Sequence, residues 1–362
     1  VISPKPSRPF GFQFTDKTLT FNFKQIQVGS YICASSSFIG RFRESYSFGR
    51  HCYLYVAVNQ QNIDVIYANT CPLMGQYFAV KAAHKYDIPI IIHVQDVYPE
   101  SLSKKLPFAA FFLNHLLIPL DKYILSKASK VIVISQKMKD YLLKSRKLMN
   151  DKIRIIPNRQ DEQIFIGQTN QSYNNDEKPF KFMYLGNISP AAGVDLLIHS
   201  FHKANLNNAQ LIVAGSGSNR EYCMKIANQY ENINIQFIDA PSHLVPSLQA
   251  TANVLMLPLK KGIGKTASPS KLPAYMFSKK PIIACVDEDS DTSVVIKSSD
   301  CGWVLPPENI NLLSDLMQKV CSMPKELLIQ KGQNGFDYAI QNFSKKNNLQ
   351  KMITVIHEMS KG

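Results

Sequence analysis

The sequence lacks several signatures by which a function is usually recognised. Its seven cysteines are scattered, and no two of them form a C-x-x-C pair. That spacing argues against a zinc site and against a disulfide framework, so we expect reduced cysteines and a cytoplasmic protein. There is also no G-x-x-x-x-G-K-[ST] motif, which excludes the P-loop class of nucleotide-binding enzymes.

Acidic residues are also scarce. Lys and Arg number 41 against 27 Asp and Glu, which gives a formal net charge of +14. Such a charge suits an anionic partner: nucleic acid, a nucleotide-linked substrate or an anionic membrane leaflet. The basic residues are dispersed and no nucleic-acid-binding motif is present, so we expect no nucleic acid partner. A chain that is merely rich in lysine, with no anionic partner, is the alternative.

No apolar run is long enough for a helix that spans a membrane. The most apolar stretch, residues 106–120, is flanked by lysines. This composition is typical either of a core helix or of a helix that lies in a membrane interface between basic flanks. The second interpretation predicts peripheral contact with the inner face of the cell membrane.

Short β-branched runs alternate with longer helical patterns along nearly the whole chain. Apolar strands separated by helices indicate parallel sheets that are covered on both faces. We therefore predict an α/β protein of two Rossmann-like, doubly wound domains that face a cleft, with a polar linker near 168–179. The predicted boundaries are 1–160 for the first domain, 161–340 for the second, and 341–362 for a C-terminal helix that packs back on the first.

Two glycine-containing loops follow predicted strands of the second domain. One begins with Gly186 and Asn187, and the other is Gly215-Ser216-Gly217. Glycines let a backbone approach a phosphate closely, and the helix that follows each loop supplies N–H donors. Neither loop is a dinucleotide fingerprint, and a tight turn without a ligand is the alternative for each.

A lysine is predicted at the start of a helix, where the backbone already carries partial positive charge. Ser268 is a suitable N-cap and Pro269 suits the first helical position, so the N–H groups of Ser270 and Lys271 would be free donors. The Lys271 side chain, with Lys260, Lys261 and Lys265 nearby, would add positive charge. This arrangement suits a bound diphosphate, and a solvated basic loop is the alternative.

Carboxylates follow two other predicted strands. Asp96 and Glu100 come after an apolar strand of the first domain and could orient or deprotonate an acceptor hydroxyl, although Asp96 could equally cap the next segment. The acids at 287–291 could bind sugar hydroxyls or cap a helix at 292–298. We expect no metal site there, because no further ligand follows at suitable spacing. His93 lies within a strand, where a packing role is expected.

Seven stretches carry a resemblance to a known family. They are QDVYPES (95–101), SKASKVIVIS (126–135), KIRIIPN (152–158), YLGNIS (184–189), IVAGSGSN (212–219), SPSKLPAYMFSKKPIIACVDEDSD (268–291) and CGWVLPPEN (301–309). With these, the chain resembles bacterial glycosyltransferases of family 4, which have the GT-B fold. Within that family it resembles the branch that includes N-acetylfucosamine transferases of O-antigen and capsule assembly. Residues 1–4 would match the family's second strand, so the first strand and its glycine-rich loop would be missing.

The resemblance implies a retaining transfer of a sugar from a nucleotide donor, UDP-linked, to a lipid-linked or polysaccharide acceptor, without a metal ion or other cofactor. It places the nucleotide base near 215–219 and the strand that ends at Asp239. The implied donor-binding residues are Gly186, Asn187, Gly215, Ser216, Gly217, Lys265, Ser270, Lys271 and Asp291. The implied catalytic residues are Asp96 and Glu100 on the acceptor side and Lys271 at the diphosphate.

One departure from the family pattern keeps alternatives open. Many members carry two glutamates eight positions apart, where this chain has Thr266 and Ala274. A UDP-sugar 2-epimerase is one alternative, with His93 and the acids at 287–291 as its acid–base candidates. A catalytically inactive nucleotide-sugar-binding protein is the other.

Overall fold

The computed structural model describes residues 1–5, 22–33, 37–69, 73–100, 110–167, 179–231, 234–263 and 271–360. Contacts between residues divide the chain into two units. The first unit comprises Val1–Ile156 and Lys351–Gly362, and the second comprises Pro157–Gln350. Most of the predicted linker lies outside the described residues.

The first unit contains a parallel sheet, which in the described part of the chain has the strand order β3-β4-β5-β6. Its strands are β3 (Ile66–Ala68), β4 (Ile90–Val94), β5 (Lys130–Val133) and β6 (Ile153–Ile155). Two short strands, β1 (Ile2–Pro4) and β2 (Ile26–Val28), pair in parallel with each other. The helices are α1 (Phe38–Asn59), α2 (Leu73–Lys85), α3 (Ala110–Lys127) and α4 (Gln136–Arg146).

The sequence of β4 explains why this sheet is covered on both faces. All five of its residues, IIIHV, are buried. Ile90 and Ile92 belong to a core that they share with α2 and α3. Ile91 points to the opposite face and packs with Val355 from the C-terminal helix Lys345–Ser360. A strand buried on both faces needs apolar residues at successive positions, which is the pattern that predicted a parallel sheet.

The second unit contains a larger parallel sheet, with the order β12-β11-β10-β7-β8-β9. Its strands are β7 (Phe180–Leu185), β8 (Ala209–Ala214), β9 (Ile235–Ile238), β10 (Val254–Pro258), β11 (Ile282–Cys285) and β12 (Gly302–Leu305). Its helices are α5 (Gln163–Ile166), α6 (Val194–Ala204), α7 (Arg220–Ala227), α8 (Val245–Ala250), α9 (Lys271–Phe277), α10 (Asp291–Ser299), α11 (Ile310–Cys321) and α12 (Lys325–Asn342). The last helix, α13 (Lys345–Ser360), begins in this unit and belongs to the first unit from Lys351 onward.

Strand β7 divides the core of this unit between two faces. Phe182 and Tyr184 pack with α6 and α11, whereas Met183 and Leu185 pack with α9 and α12. Successive side chains of a strand point to opposite faces, so one apolar run supplies both cores. The prediction of an α/β protein with doubly wound parallel sheets is confirmed.

The order of the strands creates a switch point beside β7. From β7 the chain runs outward through β8 and β9, and it then returns to form β10 on the other side of β7. In doubly wound sheets, ligands bind beyond the carboxyl ends of the strands at such a point. The loops at 186–193 and 259–263 begin there.

No helix among the described residues is both long enough and apolar enough to cross a membrane. Helix α3 includes the later part of the apolar stretch predicted at 106–120, and residues 106–109 lie outside the described part. Its Leu117 is buried, whereas Phe111 and Leu116 are exposed. The helix therefore has both a core face and an exposed apolar face.

We expect Gly302→Ala to destabilise the second unit. A Cβ at Gly302 would collide with the carbonyl oxygen of Ile282 in the neighbouring strand, and the two strands would have to move apart at a cost of about 1–3 kcal/mol. Thermal unfolding followed by circular dichroism measures the change. Gly167→Ala is the control, because a Cβ there meets nothing within 4 Å. Equal melting temperatures for the two variants would contradict the expectation.

Candidate functional site

Lys271 is the first residue of helix α9 and lies close to the end of β7. Its Nζ donates a hydrogen bond to the Tyr184 hydroxyl at 2.5 Å and lies 4.3 Å from the centre of that ring. The described residues provide this ammonium with a neutral hydroxyl and no carboxylate. The segment that precedes the helix, with Lys265 and Ser270, lies outside the described residues.

Gly186 allows the lysine to reach Tyr184. This glycine directly follows β7 with a φ of +146°, a conformation that residues with side chains rarely adopt. A Cβ at this position would collide with Cε of Lys271 and would lie 3.0 Å from its Nζ. The sequence predicted that Gly186 would let the backbone approach a ligand closely. In the structure, the missing side chain at this position makes room for the side chain of Lys271.

Burial changes the proton affinity of both partners. It lowers the pKa of Lys271 to about 8, because the charged form loses hydration. It raises the pKa of the Tyr184 hydroxyl, which therefore stays protonated and donates to the carbonyl of Asn187 at 2.6 Å. Lys271 is still mainly charged at neutral pH, and an anionic ligand would stabilise its charged form.

One buried tyrosine fixes helix α9 against β7. The Tyr275 hydroxyl accepts a hydrogen bond from the Leu185 amide at 2.9 Å and donates one to the Leu185 carbonyl at 3.0 Å. Tyr275 lies four residues after Lys271 and so on the same side of the helix. The helix start is therefore held at the end of β7 by a side chain that forms two bonds to one backbone residue.

The two glycine loops predicted from the sequence lie against each other. The Ile188 amide donates to the Ser216 carbonyl at 2.8 Å. A Cβ at Gly215 would collide with the Gly186 carbonyl oxygen, and one at Gly217 would lie 2.5 Å from Oδ1 of Asn187. The structure thus brings together six predicted donor-binding residues, namely Gly186, Asn187, Gly215, Ser216, Gly217 and Lys271.

Lys260, which the sequence suggested would add positive charge near Lys271, is neutralised instead. Its Nζ donates to Oδ2 of Asp195 at 2.6 Å and lies 3.8 Å from Oε1 of Glu308. Burial opposes the charge, but these carboxylates outweigh it and raise the pKa of Lys260. The predicted group of positively charged lysines is corrected in this respect. Lys260 forms an ion pair with Asp195, whereas Lys271 contacts no carboxylate in the part of the chain that the structure describes.

The acids at 287–291 have separate roles. Both carboxylate oxygens of Asp287 accept from the Gly262 amide, at 2.9 and 3.0 Å. Ser290, rather than an acid, caps helix α10 by accepting from the Ser293 amide at 3.1 Å. Asp291 is the first residue of that helix and suits its positive end. Within the described ranges, no group of three metal-ligating side chains occurs.

The predicted acceptor-side acids follow β4 in the first unit. Asp96 is exposed. Glu100 is engaged on both oxygens: Oε2 accepts from Arg146 Nη2 and Oε1 from the Tyr141 hydroxyl, each at 2.7 Å. Burial raises the pKa of Glu100, but these hydrogen bonds outweigh it and leave the pKa below its usual value. Arg146 was missed because a single arginine at a helix end carries no sequence signal.

His93 is buried in β4, as its position in the sequence predicted. One ring nitrogen, Nδ1, lies 2.7 Å from the Tyr67 hydroxyl. The ring thus contacts a side chain of the neighbouring strand β3.

Comparison with known proteins gives two adjacent matches that together span most of the chain. Residues 1–162 match the family described as Glycosyltransferase Family 4, and residues 166–338 match the family described as Glycosyl transferases group 1. The chain is a glycosyltransferase. A curated relative, the probable glycosyltransferase WbjE of Pseudomonas aeruginosa, is 22% identical over 282 residues, which are 72% of this chain and 66% of the relative.

Solved structures show that this glycosyltransferase has the GT-B fold. Sucrose-phosphate synthase from Thermosynechococcus elongatus aligns with a TM-score of 0.70 and 16% identity, over 92% of this chain and 83% of that one. Alr3699/HepE of Anabaena in complex with UDP aligns with a TM-score of 0.69 and 14% identity, over 92% of this chain and 86% of that one.

We expect the stability of the glycosyltransferase to depend on the charge of Lys271. Because its pKa is lowered to about 8 in the folded protein, Lys271 binds more protons in the unfolded chain between about pH 8 and 10.5, and its own contribution to stability should rise over that range. Lys271→Met removes this effect, so it should unfold at a higher temperature than wild type at pH 7, by a margin that narrows as the pH approaches 10. Thermal scans at several pH values test this. Lys319→Met, at an exposed lysine of α11, is the control, and a margin that does not change with pH would contradict the expectation.

Proposed function

We propose that the protein is a retaining glycosyltransferase that moves a sugar from a UDP-linked donor to a lipid-linked or polysaccharide acceptor in surface polysaccharide biosynthesis. The observation that carries the proposal is the position of Lys271: a partly desolvated cation at the switch point, beside two glycine loops. That UDP is bound in the solved structure of HepE, which shares the fold, supports a uridine nucleotide.

The proposed reaction breaks the bond between the sugar C1 and the terminal phosphate oxygen. The diphosphate gains negative charge as it leaves, and C1 passes through an oxocarbenium-like state. A cation that already stands at the leaving group stabilises this state more than the ground state. Lys271 is the proposed cation, and it can exchange its bond to Tyr184 for one to a phosphate oxygen.

The remaining donor contacts are proposed from the two loops. Ser216 and Gly217 would present backbone N–H groups to the nucleotide. Gly215, whose amide donates to the Ile238 carbonyl at 2.9 Å, would let the backbone approach the nucleotide closely. Asn187 would lie at the diphosphate. Asp291 at the start of α10 would bind a sugar hydroxyl. Lys265 and Ser270 keep their predicted roles as further diphosphate ligands, from the segment outside the described residues.

The acceptor hydroxyl loses its proton as its oxygen bonds to C1, and we assign that proton to Asp96. Its exposed carboxylate is free to accept it, whereas both Glu100 oxygens are engaged by Arg146 and Tyr141. This assignment of different roles to Asp96 and Glu100 departs from the sequence prediction, which treated the two acids alike. The N-acetylfucosamine branch remains a proposal that rests on the sequence resemblance.

The candidate residues for a 2-epimerase are poorly suited to acid–base work. His93 is buried beside Tyr67, Asp287 holds the Gly262 amide, and Glu288 pairs with Lys297 at 2.8 Å. Transfer is therefore favoured over epimerisation.

UDP binding and donor turnover test the proposed role of Lys271. We expect Lys271→Met to lower turnover of a UDP-sugar by about a hundredfold, the usual loss for one preorganised charge contact. Calorimetry should show wild-type affinity for UDP falling as the pH rises through about 8, where Lys271 loses its proton, and no such fall in Lys271→Met. The control Lys319→Met should behave as wild type. Tight UDP binding without any turnover of UDP-glucose or UDP-N-acetylglucosamine would favour the inactive binding protein.

We also propose that helix α1 contacts an anionic membrane, where a lipid-linked acceptor would reside. Leu54 and Val58 are 50% and 83% exposed on this helix, and Arg43 and Arg50 are exposed on the same side. The opposite side is occupied, since a Cβ at Gly49 would lie 2.8 Å from a carbonyl oxygen of α2. An exposed stripe of apolar and arginine side chains suits the boundary between lipid headgroups and acyl chains.

Co-sedimentation with lipid vesicles tests the membrane contact. Wild type should sediment with vesicles that contain phosphatidylglycerol and much less with pure phosphatidylcholine. Arg50→Glu should weaken the binding by about tenfold, because each arginine near such a surface contributes about 1 kcal/mol and the charge is reversed. Leu312→Ser, at an exposed leucine of the second unit, is the control. Binding that is indifferent to lipid charge would contradict the proposal.

A further inference from the structure

Arg146 is almost fully buried although it carries a positive charge. Its residue is 1% exposed. Nε donates to Oδ2 of Asp121 at 2.6 Å, and Nη2 donates to Oε2 of Glu100 at 2.7 Å and to the Tyr98 carbonyl at 3.3 Å. Burial of a charge is costly unless opposite charges and hydrogen bonds compensate for it, and here two carboxylates and a carbonyl do so.

These contacts join three separate parts of the first unit. Asp121 lies on α3 and Arg146 on α4, whereas Tyr98 and Glu100 belong to segment 95–100, which follows β4. The planar guanidinium presents its donors in fixed directions, so a single side chain can hold both carboxylates. A lysine in its place would be a point charge and could not donate to both carboxylates in these fixed directions.

Segment 95–100 is also attached at its beginning. The side-chain amide of Gln95 donates to Oδ1 of Asn69, the residue that follows β3, at 3.1 Å. Asp96 lies between this attachment and the bonds that Arg146 makes to Tyr98 and Glu100. The exposed carboxylate therefore projects from a backbone that is held on both sides.

We propose that Arg146 is a positioning residue for the acceptor side of the reaction: it holds segment 95–100 so that Asp96 keeps a fixed place. Glu100 acts with it, because its carboxylate accepts the hydrogen bond through which the guanidinium holds the segment. The inference rests on the proposed function only in the role of Asp96. The attachment itself is a property of the folded first unit.

The charges around Arg146 agree with a positioning role. Apolar side chains of similar volume would stabilise a fold equally well, but they would not fix the direction of a loop. Burial raises the pKa of Asp121 to about 6, even beside the guanidinium. Above that pH Asp121 is ionised. Arg146 then forms ion pairs with two carboxylates, one on α3 and one in segment 95–100.

Hydrogen–deuterium exchange tests the attachment without any ligand. In Arg146→Lys, the backbone amides of 95–100 should exchange about tenfold faster or more, because local opening no longer breaks the full set of bonds. Amides of β7 in the second unit should not change. Arg154→Lys is the matched control, since Arg154 is an exposed arginine of β6 that donates to the Asp151 carbonyl. Unchanged exchange at 95–100 in folded Arg146→Lys would overturn the proposal.

Tyr141→Phe supplies a second test that leaves the buried arginine in place. It removes only the hydroxyl that donates to Glu100 Oε1, and we expect about threefold faster exchange at 95–100. If Arg146→Lys does not fold, this variant decides the question, and no increase in exchange would overturn the proposal.

A double-mutant cycle tests whether Arg146 acts through Asp96. The probe is the release of UDP from UDP-glucose or UDP-N-acetylglucosamine in water, with water in place of the acceptor. Arg146→Lys and Asp96→Asn should each lower the rate about tenfold, and the double variant should be no slower than Asp96→Asn alone. Losses that multiply to about a hundredfold would overturn the link between the two residues. UDP affinity measured by calorimetry should stay within about twofold in all three variants.

The exchange experiments and the hydrolysis experiment test this inference and the proposed function separately. If wild type hydrolyses no UDP-sugar, the proposed function fails, and the exchange experiment still decides whether Arg146 holds the segment. If wild type is active and exchange at 95–100 is unchanged by both substitutions, the positioning role fails while the proposed function stands.

Discussion

The candidate site of the second unit is built around one partly desolvated ammonium group. Lys271 reaches the Tyr184 hydroxyl only because residue 186 has no side chain, and Tyr275 holds the start of α9 at the end of β7. Removing a charge from water costs free energy, which here is visible as a lowered pKa. The same cost makes an incoming anion favourable, so the local instability and the proposed affinity for a diphosphate have a single cause.

Three buried or half-buried cations of the chain differ in how their charge is balanced. Arg146 has Asp121 and Glu100, and Lys260 has Asp195. Lys271 has only a neutral hydroxyl among the described residues. A balanced cation holds protein segments together, whereas an unbalanced one can bind a ligand. Whether a carboxylate balances the charge therefore distinguishes these two roles, which the residue type alone does not.

Local pattern predicted the fold well and the site only in part. Strands such as β4 and helices such as Ile310–Cys321 follow from periodicity, and the two glycine loops follow from their places after strands. Side-chain pairs between distant parts of the chain left no such pattern. Tyr275 meets Leu185 across 90 residues, and Arg146 meets Glu100 across 46. Periodicity reports which face of an element is apolar, and it carries no information about which polar groups meet after folding.

The contact between Gly215 and the Gly186 carbonyl has a consequence for how this chain can change over evolution. The loop at 186–188 occupies the volume that a side chain at Gly215 or Gly217 would need. A substitution that shifted one loop would alter which residues the other could accept, so the effects of changes in the two loops should be epistatic. New donor specificity would then arise through paired replacements, or through segments outside these loops.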